Sequence, residues 1–503
     1  MTRTFHRRAV LGLLAGGAAG AAFAQPRATP RPRPRPGGAG VLADAGPRPA
    51  PRPAIPTADE LIARANLSGR VGFAAVDMET GTMLESRDPM RGMPPASSMK
   101  ALTAAYAADR LGLDHRFETR LVATGPVEGG VLRGDLILAG GGDPVLGTGG
   151  LRALAEDLRA AGVTEVEGAF RVFDGALPVV GPVDPDQPEH LGYNPTVSGL
   201  MLNFGRVHFS WERTGGGYDV QMDARGGGAV PEVASSRMEV VDRAGPVYTY
   251  RDVDGIDAWT VARGQLGGGG SRWLPVRNPA RYAGDVFRTL AGDAGIELPR
   301  AGVAVEAPVG AALATLRSPP LREIASDMLR YSTNATAEVL GLNATLAGGR
   351  AVSSLLASGG SMAAWAGPTL GMRRLAAWDH SGLNVESDVR AGEMAEAMRR
   401  MPEEVAALLY PFPLRGPGGG RYEVQPVDVR AKTGTLNFVS ALAGRAMPPR
   451  GRPIAFAIFV ADEERRAAAA ARGEERPAGS RTYVARARVL QSQLIERWAK
   501  VYG

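Results

Sequence analysis

The stretch that most constrains the fold is residues 94–100, Pro-Pro-Ala-Ser-Ser-Met-Lys, which leads into an apolar, alanine-rich run over residues 101–111. That run predicts a helix. Ser97 and Lys100 then lie on one face of its first turn, because side chains at i and i+3 are neighbours on a helix. A serine hydroxyl needs an adjacent base to act as a nucleophile, and a buried amine that has lost its proton is such a base. The spacing therefore predicts a nucleophile and its base at the start of a helix.

The scarcity of lysine supports this interpretation. Of the 58 basic residues only three, Lys100, Lys432 and Lys500, are lysines, and the others are arginines. A guanidinium stays protonated in proteins, whereas a buried ammonium can lose its proton. A chain that otherwise uses arginine has one lysine beside Ser97 and a second in the sequence Lys432-Thr433-Gly434. We therefore interpret Lys100 as a functional residue rather than as a surface lysine.

Length and charge limit the classes of protein to consider. A chain of 503 residues is too long for one compact core and indicates about two to four domains. The absence of cysteine excludes disulfides, thiolate metal sites and a cysteine nucleophile, and we expect no metal or cofactor. The net charge is +6, but residues 1–55 carry +8, which leaves −2 for the rest of the chain. A nucleic-acid partner is therefore not indicated.

The N-terminus has the features of an export signal. Arg7 and Arg8 precede an apolar stretch over residues 9–23, and Ala22-Phe23-Ala24 offers the small residues that signal peptidase reads. This pattern predicts a signal peptide at residues 1–24, which uses the general secretory (Sec) or the twin-arginine route. The apolar stretch is short for a membrane span. We expect an exported, periplasmic protein with no transmembrane span in its mature form.

The remaining chain divides by composition. Residues 25–56 contain Arg-Pro alternation and predict an extended linker. Residues 57–106 contain a helix and a hairpin that lead into Ser97, and they predict the first part of a catalytic domain. Residues 107–300 contain short strands and glycine turns, which predict an inserted, mostly β module. Residues 301–503 predict the second part of the catalytic domain, although residues 463–480 within it are charged, alanine-rich and give no functional prediction.

Two further short motifs lie in the C-terminal part. Ser332-x-Asn334 lies at a tight connection between two predicted helices and so presents a hydroxyl and an amide. Lys432-Thr433-Gly434 lies in a predicted strand over residues 427–435. Serine and asparagine favour caps and turns in any case, so this pair indicates a catalytic role only together with the other motifs.

In this order, Ser97-x-x-Lys100, Ser332-x-Asn334 and Lys432-Thr433-Gly434 resemble the signature of the penicillin-binding proteins and serine β-lactamases. The gap of 235 residues between Ser97 and Ser332, filled by a β-rich insertion, resembles the D-alanyl-D-alanine carboxypeptidase/endopeptidase family. This is peptidase family S13, the class C low-molecular-mass penicillin-binding proteins similar to penicillin-binding protein 4. Further stretches similar to that family are Gly142-Asp143-Pro144, Tyr193-Asn194, Leu202-Asn203-Phe204, Asp379-x-Ser381-Gly382-Leu383 and Lys432-Thr433-Gly434-Thr435-Leu436.

The resemblance implies a fold and catalytic roles. The fold would be α+β, a penicillin-binding-protein/serine β-lactamase-like transpeptidase fold with an antiparallel sheet, flanking helices and a large β-rich insertion. Ser97 would be the nucleophile that attacks the carbonyl between two D-alanines, and Lys100 would be the base that takes its proton. Ser332 would relay a proton to the leaving group, and Lys432 beside it would keep the pair of amines electropositive.

The resemblance also implies how substrate is bound. Asn334 would hold the substrate amide and Thr433 the terminal carboxylate. Gly434 would let the substrate backbone lie along the strand with no side chain in the way. The backbone N–H groups of Ser97 and Thr435 would form an oxyanion hole, in which a single donor is typically worth about 3 kcal/mol of barrier.

The predicted function is therefore that of an exported serine DD-peptidase that cleaves D-Ala-D-Ala and D-Ala–diamino acid cross-links of peptidoglycan. Its partners would be peptidoglycan stem peptides, with β-lactam antibiotics as inhibitors.

A serine β-lactamase shares the acylation chemistry, but the insertion argues against it. A non-catalytic wall-binding or β-lactam-sensing protein is the other alternative, and the retention of both motif lysines argues against that. A classical serine hydrolase is a weaker alternative still, because the sequence has no Gly-x-Ser-x-Gly and its five histidines stand in no recognisable arrangement with an acid. We interpret Asp379-x-Ser381-Gly382 as stabilising a loop, and His380 within it is the one histidine that merits attention.

Overall fold

The computed structural model describes residues 55–503, and these residues form one compact unit. The predicted signal peptide (1–24) and nearly all of the predicted linker (25–56) lie outside the described residues. In the part of the chain that is described, none of the helices has the length and apolar character needed to cross a membrane.

The helices of residues 55–503 are α1 (Ala58–Ala65), α2 (Met99–Leu111), α3 (Thr148–Ala160), α4 (Pro279–Asp293), α5 (Leu321–Tyr331), α6 (Asn334–Ala347), α7 (Leu355–Leu370), α8 (Ala391–Arg400), α9 (Glu403–Ala406), α10 (Glu463–Ala471) and α11 (Ser480–Val501). Two 3₁₀ turns accompany them, Ala96–Ser98 and Arg263–Gln265.

The strands are β1 (Arg70–Asp77), β2 (Met83–Arg87), β3 (Gly92–Met93), β4 (Glu118–Ala123), β5 (Val127–Glu128), β6 (Val131–Leu132), β7 (Leu136–Gly140), β8 (Glu165–Val166), β9 (Phe170–Phe173), β10 (Arg206–Thr214), β11 (Gly217–Asp223), β12 (Ser236–Val241), β13 (Tyr248–Val253), β14 (Ile256–Ala262), β15 (Gly269–Pro275), β16 (Gly302–Val303), β17 (Ala311–Arg317), β18 (Val389–Arg390), β19 (Asp428–Leu436), β20 (Val439–Met447) and β21 (Ile454–Ala461).

The catalytic part is built on a five-stranded antiparallel sheet with the order β19-β20-β21-β1-β2. Helices cover both faces of this sheet, and β21 is consequently buried at every position. Its sequence, a continuous apolar run, is the pattern expected of a strand with two covered faces. α11 packs on one face, where Trp498 lies 5.7 Å from Phe73 between ring centroids. α2, α5, α6 and α8 contribute to the core on the other face. The sheet with its flanking helices confirms the predicted α+β fold.

The strand with the third motif occupies one edge of that sheet. β19 pairs with β20 on one side, in the register Lys432↔Ala443 and Gly434↔Ala441. On its outer side, residues 410–412 pair with its first part, where Ala431 N donates to Tyr410 O and Phe412 N donates to Val429 O. From Lys432 onward the outer N–H and C=O groups have no strand partner among residues 55–503 and are available to an added extended peptide. The sequence predicted this strand to run from residue 427 to residue 435, and β19 spans Asp428–Leu436.

The insertion has its own core and sheets. A five-stranded sheet with the order β16-β9-β7-β4-β17 is accompanied by three-stranded sheets β11-β10-β15, β12-β14-β13 and β5-β6-β8. α3 and α4 pack beside them around buried aromatic residues such as Trp259 and Phe287.

The bounds predicted for the insertion, 107–300, differ from the positions of these elements. α2 continues to Leu111 within the catalytic core, because its apolar face packs there. β17 (Ala311–Arg317) pairs with β4, the first long strand of the insertion. We therefore propose that the insertion comprises residues 112–317, with the catalytic domain formed by the segments on either side.

Candidate active site

Ser97 lies in a tight turn that leads directly into a helix. The 3₁₀ turn Ala96–Ser98 precedes α2, and Ser98 Oγ donates to Pro95 O (2.7 Å), which closes the turn. Ala96 has a φ of 45°, an uncommon value for a residue with a side chain. Lys100 is in the first turn of α2, and its Nζ lies 2.9 Å from Ser97 Oγ. The structure thus brings the two residues of the first motif into hydrogen-bond contact.

The surroundings of Lys100 favour a neutral amine. The side chain is fully buried, and burial, with the charge of Lys432, lowers its pKa to about 7. Its Nζ donates to Asn334 Oδ1 (2.8 Å) and to Ser381 O (2.9 Å). A neutral amine has two N–H donors and one lone pair. With both donors taken by fixed acceptors, the lone pair of Lys100 faces the hydroxyl of Ser97.

The second and third motifs meet through a hydroxyl and an amine. α5 ends at Tyr331, and Ser332 follows it with a φ of 60°, so that the chain turns at once into α6. Lys432 Nζ donates to Ser332 Oγ (3.0 Å) and to Thr433 O (3.0 Å). Burial lowers the pKa of Lys432 to about 8. The tight connection predicted at Ser332 is present, and it places Ser332 against the strand.

Asn334 connects the catalytic part to the insertion. It is the first residue of α6, its Oδ1 accepts from Lys100, and its Nδ2 donates to Tyr193 O (3.1 Å). Because both ends of the amide are engaged, the orientation of Asn334 is fixed by one contact from each part of the molecule. The side chain of Tyr193, in contrast, is 47% exposed and lines the cleft.

Gly434 lies where β19 closely approaches the turn of Ser97, an approach that the sequence does not reveal. The role that the resemblance implies for it, to make room for a substrate backbone, stays a prediction. In the structure, a Cβ at this position would lie 2.8 Å from Pro95 O and 2.9 Å from Ser97 N. A methyl group there would therefore push against the turn that holds Ser97. Thr433, on the same strand, is partly buried, and Thr435 is exposed to the cleft.

Two buried carboxylates hold the loop beneath Lys100. Glu338 on α6 accepts from His380 N (2.9 Å) and Ser381 N (2.9 Å), which fixes the carbonyl that Lys100 binds. Asp379 accepts from Gly382 N (2.8 Å) and from two further backbone N–H groups of the same loop. Burial raises the pKa of Glu338 to about 8 and also raises that of Asp379. These contacts agree with the interpretation of Asp379-x-Ser381-Gly382 as a loop-stabilising stretch.

His380 packs beneath the site rather than facing it. The ring is fully buried, its Nε2 is 2.8 Å from Ser358 Oγ, and Nδ1 has no hydrogen-bond partner among the described residues. Burial lowers its pKa to about 3, so the ring is neutral at ordinary pH. It lies against Gly341, where a Cβ would be 2.1 Å from the ring. We therefore assign His380 a packing role.

A cleft of about 1650 Å³ opens above Ser97 and is lined by both parts of the molecule. Glu475, which follows α10, reaches across to the insertion and contacts His190 Nε2 (3.1 Å) and Arg272 Nη2 (3.2 Å). The hydrogen bond from His190 and the charge of Arg272 lower the pKa of Glu475 to about 2. Asn437, at the end of the catalytic hairpin, donates to Glu475 O (3.2 Å). These contacts join the rims of the cleft at one end.

The sequence analysis does not identify Glu338 or Glu475, and it names Tyr193 only within a stretch similar to the family, without a role. The reasons differ. Glu338 had a usable signal, because it is the only charged residue in the apolar helix α6. Tyr193 contributes a backbone carbonyl, which carries no signature in a sequence. Glu475 lies in the charged segment 463–480, where it is one acid among many charged residues.

An antiparallel sheet flanked by helices, with serine and lysine paired at its edge strand, is the architecture of the penicillin-binding serine peptidases. The chain belongs to the D-Ala-D-Ala carboxypeptidase 3 (S13) family, whose model matches residues 57–476. The family and the class of enzyme predicted from the sequence are thereby confirmed, and the chain is a serine-type peptidase.

Known relatives agree with this assignment. The chain is 29% identical to a D-alanyl-D-alanine carboxypeptidase of Actinomadura sp. (strain R39), over 80% of this chain and 79% of that protein. Its fold is similar to the crystal structure of penicillin binding protein 4 (dacB) from Haemophilus influenzae, with a TM-score of 0.66 at 20% identity over 87% of this chain and 99% of the other. A second structure of that protein, with a TM-score of 0.65, contains a β-lactam.

Proposed function

We propose that this protein is an exported DD-peptidase that cleaves the D-Ala-D-Ala bond of peptidoglycan stem peptides through an acyl-enzyme on Ser97. The observation that carries the proposal is the set of contacts around Lys100. Its two other neighbours, Asn334 Oδ1 and Ser381 O, are acceptors, so the neutral amine directs its lone pair to Ser97 Oγ at 2.9 Å. A pKa of about 7 leaves a large fraction of this amine unprotonated at neutral pH.

The acylation step follows from these positions. Ser97 Oγ attacks the carbonyl carbon of the penultimate D-alanine while its proton moves to Lys100 Nζ. The N–H groups of Ser97 and Thr435 donate to the oxyanion that forms. When the C–N bond breaks, the leaving amine receives the proton that Ser97 gave up, relayed through Ser332 next to the charged amine of Lys432. Water then attacks the ester carbonyl, one of its protons restores the Ser97 hydroxyl, and its oxygen with the other proton becomes part of the new carboxyl group of the shortened peptide, which leaves.

Substrate is held along the outer edge of β19 from Lys432 onward, beyond the part that pairs with residues 410–412. An extended peptide added there makes backbone hydrogen bonds to the strand, which is a common mode of peptide recognition. Asn334 takes the amide on the acyl side and Thr433 the terminal carboxylate. Because the cleft is wide and is shared with the insertion, we include D-Ala–diamino acid cross-links among the substrates. A β-lactam follows the same acylation path and stalls at the ester.

Intact mass measurement with benzylpenicillin tests this function. Protein lacking residues 1–24 is mixed with the drug, its mass is followed over time, and the adduct is mapped to a peptide. We expect a long-lived adduct on Ser97 and release of D-alanine from a peptide that ends in D-Ala-D-Ala. Rapid turnover of the drug would identify a β-lactamase instead. The absence of both adduct and peptide cleavage would favour a non-catalytic binding protein.

Export is proposed from the sequence at residues 1–24, with the periplasm as the destination. The test is to express the full chain with its own N-terminus and to determine the mass of the protein in the periplasmic fraction. A mature N-terminus at Gln25 is expected. Retention of the full-length mass in the cytoplasm would contradict the proposal.

A further inference from the structure

Two arginines beside the end of β19 line the cleft without an acidic partner among residues 55–503. Arg488, on α11, donates from Nη2 to Thr435 Oγ1 (3.1 Å). Arg415 donates from Nη1 to Gly419 O (3.0 Å), and its backbone N–H is fixed to Ser492 Oγ (3.0 Å) on the same helix. The ion pairs of the described residues include neither of them.

The pairing of two like charges has an energetic cost that a bound anion removes. Burial, followed by the charge of Arg415, lowers the pKa of Arg488, and no acid acts against these effects. Some partly buried arginines of this chain lie beside carboxylates, as Arg272 does beside Glu475 and Arg399 beside Glu396. Arg206 has no carboxylate partner, but its guanidinium packs over the rings of Phe204 and Trp273. The guanidinium pair beside β19 lines the open cleft instead, where an anion can reach it.

The position of this arginine pair relative to the scissile bond of the substrate indicates which anion it binds. Gly434 lies against the turn of Ser97, and Thr435 is the next residue on the strand. A scissile carbonyl held by the N–H groups of Ser97 and Thr435 lies at this strand end, and the Cα of the following residue is one step, about 3.8 Å, further along the substrate chain. In a D-Ala-D-Ala peptide that following residue bears the terminal carboxylate. A guanidinium binds a carboxylate through two parallel N–H donors.

We propose that Arg488, assisted by Arg415, binds the carboxylate of the residue that leaves, and that Arg488 also orients the Thr435 hydroxyl toward it. This inference rests on the proposed function and extends it by naming the residues that select a free carboxylate on the leaving residue. Thr433 alone offers a neutral hydroxyl, whereas the arginine pair supplies the opposite charge. A substrate without that carboxylate then gains no binding energy from the arginine pair.

The test compares ligands that differ only in this charge. Acylation rates are measured by intact mass with benzylpenicillin and with its methyl ester, and kcat/KM is measured with an acylated peptide ending in D-Ala-D-Ala and with its C-terminal carboxamide. The proteins are the wild type, R488Q, R415Q and R486Q. Arg486 lies on the same helix, donates to Asn66 O (3.5 Å) and does not line the cleft, so R486Q is the matched control.

The wild type and R486Q should prefer the carboxylate ligands. R488Q should lose about 10- to 100-fold on those ligands, the effect of one charge-assisted hydrogen-bonded contact, and a much smaller factor on the uncharged ones. R415Q should show a smaller loss of the same kind. Equal loss on both kinds of ligand would assign Arg488 only to the support of Thr435 and would overturn carboxylate binding, as would an unchanged preference in R488Q.

The two proposals fail separately in this experiment. If wild-type protein forms no Ser97 adduct and cleaves no peptide, the proposed function is wrong. If the wild type is acylated and cleaves the peptide, but R488Q retains the full preference for a carboxylate, only the present inference is wrong.

Discussion

Lys100 shows how much of the chemistry depends on the surroundings of one side chain. Its spacing from Ser97 is visible in the sequence, and the rarity of lysine in this chain made it conspicuous. In the proposed mechanism it acts as a base because it is completely buried and because Asn334 and Ser381 provide a pair of acceptors. Those contacts join residues more than 230 positions apart. Glu338, which fixes the Ser381 loop, could not be assigned this role from sequence, because its function depends on contacts formed only in the fold.

Replacing Lys100 by arginine should abolish acylation although the positive charge is kept, because a guanidinium does not lose its proton. The loss of a general base costs about 10²- to 10⁴-fold in rate. The measurement is the rate of adduct formation with benzylpenicillin, with circular dichroism to confirm folding. K500R is the matched control, since Lys500 is 60% exposed at the end of α11. Full activity of folded K100R would rule out Lys100 as the base.

The pH dependence of acylation should be bell-shaped. Lowering the pH through about 7 protonates Lys100 and removes the base, whereas raising it through about 8 deprotonates Lys432 and removes the charge beside Ser332. The two limbs belong to the coupled pair of amines rather than to either alone. Rates with benzylpenicillin between about pH 5.5 and 9.5 check this. K432R should keep the acidic limb and lose the alkaline one, and an acylation rate that does not fall on the acidic side would contradict the assignment.

At the scale of elements, the sequence predicted whether a segment is a helix or a strand better than it predicted where the segment ends and which residues it contacts. The helix that begins with the first motif and the strand with the third were both predicted, because apolar periodicity and strand-forming residues are local signals. The helical periodicity of residues 483–498 predicts a closing helix, and α11 spans Ser480–Val501. α10 was missed because its alanine-rich, charged sequence has little apolar periodicity, and only Ala469 of it is buried. How closely β19 approaches the Ser97 turn could not be predicted from local sequence patterns, because the two segments meet only in the fold.

Substitution of Gly434 by alanine tests that approach. The added Cβ would lie within 2.9 Å of Pro95 O and Ser97 N, closer than van der Waals contact allows. The turn or the strand must therefore move, and a small displacement of a nucleophile costs about 10²-fold in rate. We expect slower acylation of Ser97 and lower stability to urea. G360A is the control, because a Cβ on the exposed residue Gly360 of α7 meets no atom within 4 Å. Wild-type acylation by G434A would show that the contact is not needed.

At the scale of the whole molecule, the cleft belongs to neither part alone. The catalytic part provides Ser97, and the insertion provides Tyr193, whose carbonyl fixes the amide of Asn334. The existence of a β-rich insertion was predicted from the long gap between motifs, but its position over the site was not, because sequence spacing does not give orientation. Glu475 then joins the two rims. A substrate large enough to contact both rims should therefore respond to changes in the insertion that a small one does not detect.

Replacing Tyr193 by alanine separates these two kinds of substrate. The variant keeps the backbone carbonyl that Asn334 binds and removes an exposed ring from the cleft. Acylation by benzylpenicillin should change little, while kcat/KM for cross-linked muropeptides should fall about tenfold, because binding energy from remote contacts is lost. Y410A is a matched control: Tyr410 is also 47% exposed and also uses its carbonyl in a backbone hydrogen bond, to Ala431 N (3.1 Å), but lies outside the cleft. An equal loss on both substrates would mean that Tyr193 supports the catalytic residues, and no loss on either would mean that long substrates bypass the insertion.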